Sequence, residues 1–119
     1  MFADDEVLIY HNPRCSKSRA TLELLKTRGI QPRIVEYLKN PPSPQELEEI
    51  LLRLDAEPRD IMRRKENEYR QAKLDDPKLD RGELLRHMHE CPAVIERPIV
   101  VTNGKAALGR PPEKVLAIL

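Results

Sequence analysis

The sequence predicts an α/β fold: a mixed four-stranded sheet flanked by helices, with a helical subdomain inserted between the second and third strands. Three observations predict it. A short apolar run, a helical pattern and a second apolar run follow one another between residues 7 and 38, which indicates a βαβ unit. Asn103-Gly104, near the C-terminus, is a strong hairpin signal between two further strands. Residues 41–90 carry helical patterns.

Composition limits the class of function. The 119 residues suit one domain spanning 1–119, and the net charge of +1 with 3% aromatic residues argues against nucleic acid as a partner. No apolar run approaches the ~20 residues of a membrane span, so we expect no membrane partner. Two cysteines form no disulfide framework, and residues 1–7 (MFADDEV) lack the features of a signal peptide. We therefore expect a cytoplasmic protein. The sequence has no apolar stripe beyond those that its own core needs, which predicts a monomer.

The first predicted strand is Val7–Tyr10, which is apolar and partly β-branched. A helix is predicted over residues 16–28, with Leu22 and Leu25 on its buried face and Gly29 in the position that favours a left-handed backbone. Residues 33–38 (RIVEYL) form the second strand. A strand, a helix and a strand within about 30 residues imply that the two strands pair in parallel.

The inserted subdomain begins with a well-marked helix. Ser43 is the predicted N-cap, Pro44 occupies the first helical position and Glu46 completes a capping box. The buried stripe of this helix consists of Leu47, Ile50, Leu51 and Leu54.

The rest of the insertion is more polar. A short helix is predicted to open at Pro58, and residues 65–79 are predicted to form a loop or short helices. Asp80 and Glu83 then form a second capping box for a helix that ends before Pro92. Its predicted buried residues are Leu84, Leu85 and Met88.

The chain ends with a ββα pattern. Ile99–Val101 is the third predicted strand, Ala106–Leu108 returns after the hairpin turn, and residues 111–119 (PPEKVLAIL) are predicted to form a C-terminal helix. Val115, Leu116 and Ile118 are its packing residues.

Cys15 lies between the end of the first predicted strand and the start of the first predicted helix. Unpaired N–H groups and the positive end of the helix dipole lower the pKa of a cysteine thiol there and also suit an oxyanion. Arg14, Lys17 and Arg19 add positive charge, and the hydroxyls of Ser16 and Ser18 are expected to donate to the sulfur or to a bound anion. A buried structural cysteine is the alternative. The flanking charges and the carboxyl end of a strand favour a reactive thiol.

The sequence Cys15-Ser16-Lys17-Ser18 is a C-x-x-S arrangement, which cannot close its own disulfide. A second thiol has to come from Cys91 or from an external small molecule. This pattern indicates chemistry by one protein thiolate and an outside reductant.

Four stretches carry a resemblance to a known family. They are YHNPRCSKSR (10–19), PPSPQELEEIL (41–51), DIMRRKENEY (60–69) and ERPIVVTNGKAALGRPPEKVL (96–116). Together they resemble the glutaredoxin-coupled arsenate reductase family over nearly the whole chain. The resemblance implies a thioredoxin-like fold, with its core over about 5–40 and 91–119 and the helical insertion over about 41–90.

The resemblance also implies a reaction. The Cys15 thiolate attacks arsenate and forms a covalent adduct, glutathione attacks the adduct as co-substrate, and glutaredoxin resolves the mixed disulfide, with no bound cofactor and no metal. His11 and Ser18 match the loop residues that tune the cysteine. The supporting residues are Asn12, Arg14, Lys17, Arg19 and Pro98.

Three arginines match the family's oxyanion-binding arginines: Arg63, Arg97 and Arg110. Guanidinium groups stay charged and match pairs of oxygen atoms, which suits arsenate. Arg64 is the alternative to Arg63, because the two are neighbours and a helix turns by about 100° per residue. The resemblance implies a cis peptide bond at Arg97-Pro98, although trans is the more common state of X–Pro bonds.

His87, His89 and Cys91 have the residue types of a metal site, but no fourth ligand lies at a suitable spacing. We therefore interpret them as residues at the end of a helix, and the role of Cys91 stays open.

Two other functions fit the same fold. One is a thiol reductase with another substrate, and the other is a regulatory protein that contacts RNA polymerase. Such regulators carry a C-x-x-C redox switch, which Ser18 removes here, so the sequence favours the enzyme.

Overall fold

The computed structural model describes residues 5–119. The described chain divides into two compact units, one formed by the residues up to Asn40 together with Arg97–Leu119, and the other by Pro41–Glu96. Among the described residues, no helix combines the length and the apolar character needed to cross a membrane.

The first unit is built on a four-stranded sheet in the order β2-β1-β3-β4. The strands are β1 (Leu8–His11), β2 (Arg33–Glu36), β3 (Ile99–Thr102) and β4 (Lys105–Leu108). β1 pairs in parallel with β2 and antiparallel with β3, and β4 is antiparallel to β3. The predicted mixed sheet of an α/β fold is thus confirmed.

Helix α1 (Ser16–Thr27) connects β1 to β2, as the βαβ pattern predicts. Gly29 follows it with a φ of +75°, which is the left-handed conformation that favours glycine at a helix end. The core between the sheet and this helix contains Ile9, Leu25, Val100, Val115 and Ile118.

The second strand is shorter than predicted. β2 ends at Glu36, because the backbone turns there and the N–H groups of Lys39 and Asn40 both donate to the Glu36 carbonyl. As β2 is an edge strand, Ile34 is 45% exposed, and Leu38 beyond the turn is 46% exposed.

The hairpin turn is formed as predicted. Asn103 and Gly104 both have positive φ, at 54° and 70°, the backbone of a two-residue type I′ turn. The predicted C-terminal helix is present over Pro112–Ile118 as a 3₁₀ helix, which buries Val115 and Ile118 and leaves Leu116 half-buried. Asn103 Nδ2 donates to the Ile118 carbonyl at 3.0 Å, which ties the end of this segment to the turn.

The second unit contains the helices α2 (Pro44–Leu54), α3 (Asn67–Gln71) and α4 (Arg81–Glu90). The predicted caps are present: the Ser43 side chain accepts from the Glu46 N–H, and Asp80 and Glu83 form a reciprocal box. Three of the four predicted apolar residues of α2 are buried (Leu47, Ile50, Leu51), and Leu54 at the helix end is half-buried. All three predicted in α4 are buried (Leu84, Leu85, Met88). The helix predicted at Pro58 is a 3₁₀ segment, Pro58–Ile61.

The second unit extends to Glu96, beyond the predicted end of the insertion near residue 90. Two backbone hydrogen bonds explain the difference: the Arg63 N–H donates to Val94 and the Glu96 N–H donates to Ile61. They hold the segment after α4 against the segment after Pro58–Ile61.

Candidate functional site

Cys15 is the N-cap of α1, directly after the loop that follows β1. Its carbonyl accepts from the Arg19 N–H at 3.0 Å, and its own N–H donates to the Asn12 carbonyl at 3.0 Å. The residue is buried and its thiol is free. The helix start therefore fixes the cysteine backbone and directs unpaired N–H groups toward the sulfur.

The pKa of the Cys15 thiol is lowered. Burial raises the pKa, but hydrogen bonds from the Ser18 N–H, the Arg97 side chain and the Lys17 N–H, together with the charge of Arg97, lower it by more. These contacts favour the thiolate, which is the nucleophilic form.

Arg97 precedes β3 and is followed by a cis peptide bond to Pro98, as expected. Its Nε and Nη1 atoms are buried and have no hydrogen-bond partner among residues 5–119. Buried charged donors are expensive to leave unsatisfied. A guanidinium in this state beside a thiolate is a ready binding group for an oxyanion.

Arg110 lies after β4, in the same unit as Arg97. Its Nη1 donates to the Arg97 carbonyl at 3.1 Å, and the residue is exposed. The Arg110-Pro111 peptide bond is also cis, which the sequence did not predict. This hydrogen bond brings two of the three predicted arginines together.

His11 and Ser18 form a buried pair. His11 Nδ1 lies 2.6 Å from Ser18 Oγ, and the same oxygen accepts from the Asn12 N–H at 3.0 Å. The pKa of His11 is lowered, mainly because burial disfavours the charged ring. The expectation that the Ser18 hydroxyl donates to the sulfur is therefore corrected: this hydroxyl is engaged by His11, and Ser18 contacts the sulfur through its backbone N–H.

Among the supporting residues, Asn12, Arg14 and Arg19 make hydrogen bonds that order the loop before Cys15. Asn12 Oδ1 accepts from the Arg14 N–H at 3.0 Å, and Arg19 Nη1 donates to the Pro13 carbonyl at 2.9 Å. Lys17 is exposed and acts on the thiol through its backbone N–H.

Arg63 belongs to the second unit, where its side chain forms an ion pair with Glu66. Arg64 Nη2 donates to the Arg59 carbonyl at 3.3 Å. The choice between Arg63 and Arg64 for the oxyanion site stays a prediction.

The helix-end residues of α4 have separate surroundings. His89 Nδ1 bonds to the Pro42 carbonyl at 2.9 Å, whereas His87 and Cys91 line a cavity together with Glu68. Across residues 5–119, no cluster of three His, Cys, Asp or Glu side chains is arranged to hold a metal ion.

Gly109 contributes to the site through packing, and the sequence pattern alone does not reveal this. It lies between Leu108 and Arg110, where no turn motif in the sequence marks it. A Cβ atom at this position would lie 2.5 Å from Thr21 Oγ1 and 2.7 Å from Pro98 Cγ. The glycine therefore allows close packing between α1 and the segment that carries Arg97.

The chain is similar to known proteins over nearly its whole length. The model of the ArsC family matches residues 10–118. A protein of Neisseria meningitidis serogroup A named arsenate reductase is 51% identical over 115 residues, which covers 96% of this chain and 98% of that protein. A protein of Escherichia coli K12, named uncharacterized protein YfgD, is 49% identical and covers 96% of this chain and 97% of its own length.

A solved structure shows the same fold. The arsenate reductase from Vibrio cholerae superposes with a TM-score of 0.94 at 49% identity, covering 98% of this chain and 100% of that one. The thioredoxin-like α/β architecture predicted from the sequence is thus supported by a full-length relative.

Proposed function

The chain belongs to the ArsC family, and we propose that it reduces arsenate to arsenite through a covalent adduct on Cys15. One observation carries the proposal. A thiol with a lowered pKa lies beside Arg97, whose buried Nε and Nη1 atoms have no partner within residues 5–119. Attack on an anion needs both a nucleophile and preorganised positive donors that offset the repulsion between them. The names of two relatives that are about half identical to this chain supply the substrate.

The reaction has two covalent steps. The Cys15 thiolate bonds to arsenic, and one arsenate oxygen leaves as water after protonation. A glutathione thiolate then attacks the Cys15 sulfur and forms an S–S bond. The S–As bond breaks, its electron pair stays on arsenic, and As(V) becomes As(III), which leaves as arsenite. Two electrons thus pass from the two thiolates to arsenic.

We assign oxyanion binding to Arg97, Arg110 and Arg63. Support for Arg97 comes from its unpartnered donors, and support for Arg110 comes from its hydrogen bond to the Arg97 carbonyl. Arg63 is assigned from the family resemblance alone, with Arg64 as its alternative, and the Arg63 side chain forms an ion pair with Glu66 in this structure.

His11 and Ser18 have a positioning role in this scheme. The buried contact between His11 and the Ser18 hydroxyl, with the Asn12 N–H on the same oxygen, fixes the first turn of α1. The Ser18 N–H is then held toward the Cys15 sulfur, where it stabilises the thiolate.

The reductants are proposed to be glutathione and glutaredoxin. Ser18 stands where a C-x-x-C pair would have its second thiol, so the motif itself cannot resolve a mixed disulfide at Cys15. We assign that step to glutaredoxin rather than to Cys91. We propose that the chain works as a cytoplasmic monomer without a bound cofactor.

The test is arsenate-dependent NADPH oxidation, coupled through glutathione, glutaredoxin and glutathione reductase. We expect turnover in the wild type and none in Cys15→Ser, whereas Cys91→Ser, the matched control on the second cysteine, keeps turnover. Retained turnover in a folded Cys15→Ser variant would refute the mechanism.

Failure of the wild type in the same assay would also be informative if Cys15 still reacts with iodoacetamide. It would direct the search toward a different substrate for the thiol. This alternative is supported by the 49% identical relative from Escherichia coli K12, whose name states no activity.

A further inference from the structure

A cleft lies beside the loop that precedes Cys15. Its volume is about 330 Å³, within the usual range of small-molecule sites, and all of its lining belongs to the first unit. The lining residues are His11, Asn12, Pro13, Arg14, Glu36, Leu38 and Lys39. One wall is therefore the loop that leads to the cysteine, and the other is the turn that ends β2.

The sheet order separates this cleft from the oxyanion donors. β1, which leads to Cys15, lies between β2 and β3. Arg97 precedes β3 and reaches the thiol from that side, whereas the cleft is bounded by the end of β2. An anion held by Arg97 therefore leaves the cleft open to a second molecule.

The charges in the cleft indicate which kind of second molecule it would bind. Arg14 and Lys39 are exposed cations, and Glu36 lies 3.8 Å from the Lys39 ammonium. Leu38, which is 46% exposed, adds an apolar surface. Two cations, one carboxylate and an apolar patch complement a small peptide that carries more carboxylates than ammonium groups.

We propose that this cleft binds the reducing thiol, a glutathione-type peptide, and directs its sulfur to Cys15. The proposal rests on the proposed function, because it assigns a site to the second substrate of that reaction. The carboxylates of the peptide pair with Arg14 and Lys39, and its ammonium group pairs with Glu36. Its thiolate attacks the Cys15 sulfur, an S–S bond forms, and the S–As bond breaks with its electron pair on arsenic.

The kinetic test uses Lys39, which lies outside the cysteine loop. We expect Lys39→Ala to raise the KM for glutathione by about five- to tenfold, the loss of one charge-assisted hydrogen bond at an exposed site, and to leave the KM for arsenate within about twofold. Lys39→Arg, which keeps the charge, should restore the wild-type KM. Lys65→Ala, an exposed lysine of the second unit, is the matched control.

A binding experiment separates this proposal from the proposed function. S-methylglutathione, which cannot form a disulfide, is titrated into the ¹⁵N-labelled chain without arsenate. We expect saturable shifts of the Arg14, Leu38 and Lys39 amides, weakened by Lys39→Ala, whether or not arsenate proves to be the substrate. No shifts, or shifts confined to the residues around Arg97, would overturn the cleft assignment even if the enzyme reduces arsenate with glutathione.

Discussion

Gly109→Ala is predicted to damage the site by crowding, without removing any chemical group. The added Cβ would lie 2.5 Å from Thr21 Oγ1, 2.7 Å from Pro98 Cγ and 3.2 Å from Thr21 Cγ2. Thr21 is a fully buried residue of α1, and Pro98 is buried in the segment that follows Arg97. Neither neighbour is the end of a flexible side chain, so the backbone around Gly109 has to move by nearly an ångström.

The expected magnitude follows from that displacement. Overpacking of this kind typically destabilises by about 1–3 kcal/mol, and each kcal/mol lowers the Tm of a small domain by roughly 4–8 °C. The Gly109 N–H donates to the Pro98 carbonyl at 2.9 Å, so the movement is transmitted toward Arg97. A misplacement near 1 Å at a reacting group can lower the rate by about 100-fold.

The assay is a double-mutant cycle with Thr21→Ala, followed by thermal unfolding and by arsenate turnover. Thr21→Ala removes two of the three close contacts, so the double variant should be more stable than the sum of the single changes predicts, by about 0.5–3 kcal/mol. Thr21→Ala alone loses the hydrogen bond from its hydroxyl to the Lys17 carbonyl, and the cycle accounts for that loss.

Gly82→Ala is the matched glycine control, because its Cβ would meet Asp80 Oδ1 at an ordinary 3.5 Å. That change should be neutral or stabilise slightly, since alanine reduces the entropy of the unfolded chain. If Gly109→Ala unfolds at the wild-type temperature, or if Thr21→Ala gives no rescue, the packing argument is wrong.

Two further predictions concern charge. Arg97→Ala should raise the pKa of the Cys15 thiol, slow its alkylation at pH 7 and lower kcat by about 100-fold or more. Arg70→Ala, an exposed control, should change none of these, and equal effects of the two variants would remove Arg97 from the site. Hydrogen bonds from Arg81 lower the pKa of Glu48. The pair therefore stabilises the fold fully at pH values above the ordinary pKa of a glutamate carboxyl, and this stabilisation is lost as the pH falls through the lowered pKa of Glu48. Glu48→Gln should therefore destabilise at pH 7 by no more than about 1 kcal/mol, because both side chains are more than a third exposed. The difference between the two proteins should disappear in acid, once the Glu48 carboxyl is protonated, and a difference that persists there would contradict the assignment.

Features that depend on a few neighbouring residues could be predicted from the sequence. The caps at Ser43 and Asp80 are local hydrogen-bond patterns, and the Asn103-Gly104 turn follows from the backbone freedom of those two residues. Cys15 at the N-cap belongs to the same class, since its place follows from where the strand stops and the helix starts.

Features that depend on distant packing could not be predicted in this way. Gly109 is required because Thr21 of α1 and Pro98, both distant in sequence, pack against it. The residues next to Gly109 in the sequence do not indicate these contacts. The Ser18 hydroxyl points to His11, seven residues earlier, because the turn brings the strand end onto the helix. The C-terminal segment has apolar residues at spacings that fit both an α-helix and a 3₁₀ helix.

The pairing of β1 with β3 has a consequence for how the chain folds. Leu8 lies opposite Val101, so the sheet closes a loop of about 90 residues that contains the whole unit Pro41–Glu96. The entropy of loop closure grows only with the logarithm of length, and each doubling adds about 0.6 kcal/mol. Compared with a loop that lacks Pro41–Glu96, the longer loop therefore adds only about 1 kcal/mol to the entropic cost of pairing β1 with β3. Evolution can vary the length of that unit with little effect on the equilibrium stability of the sheet that holds the cysteine.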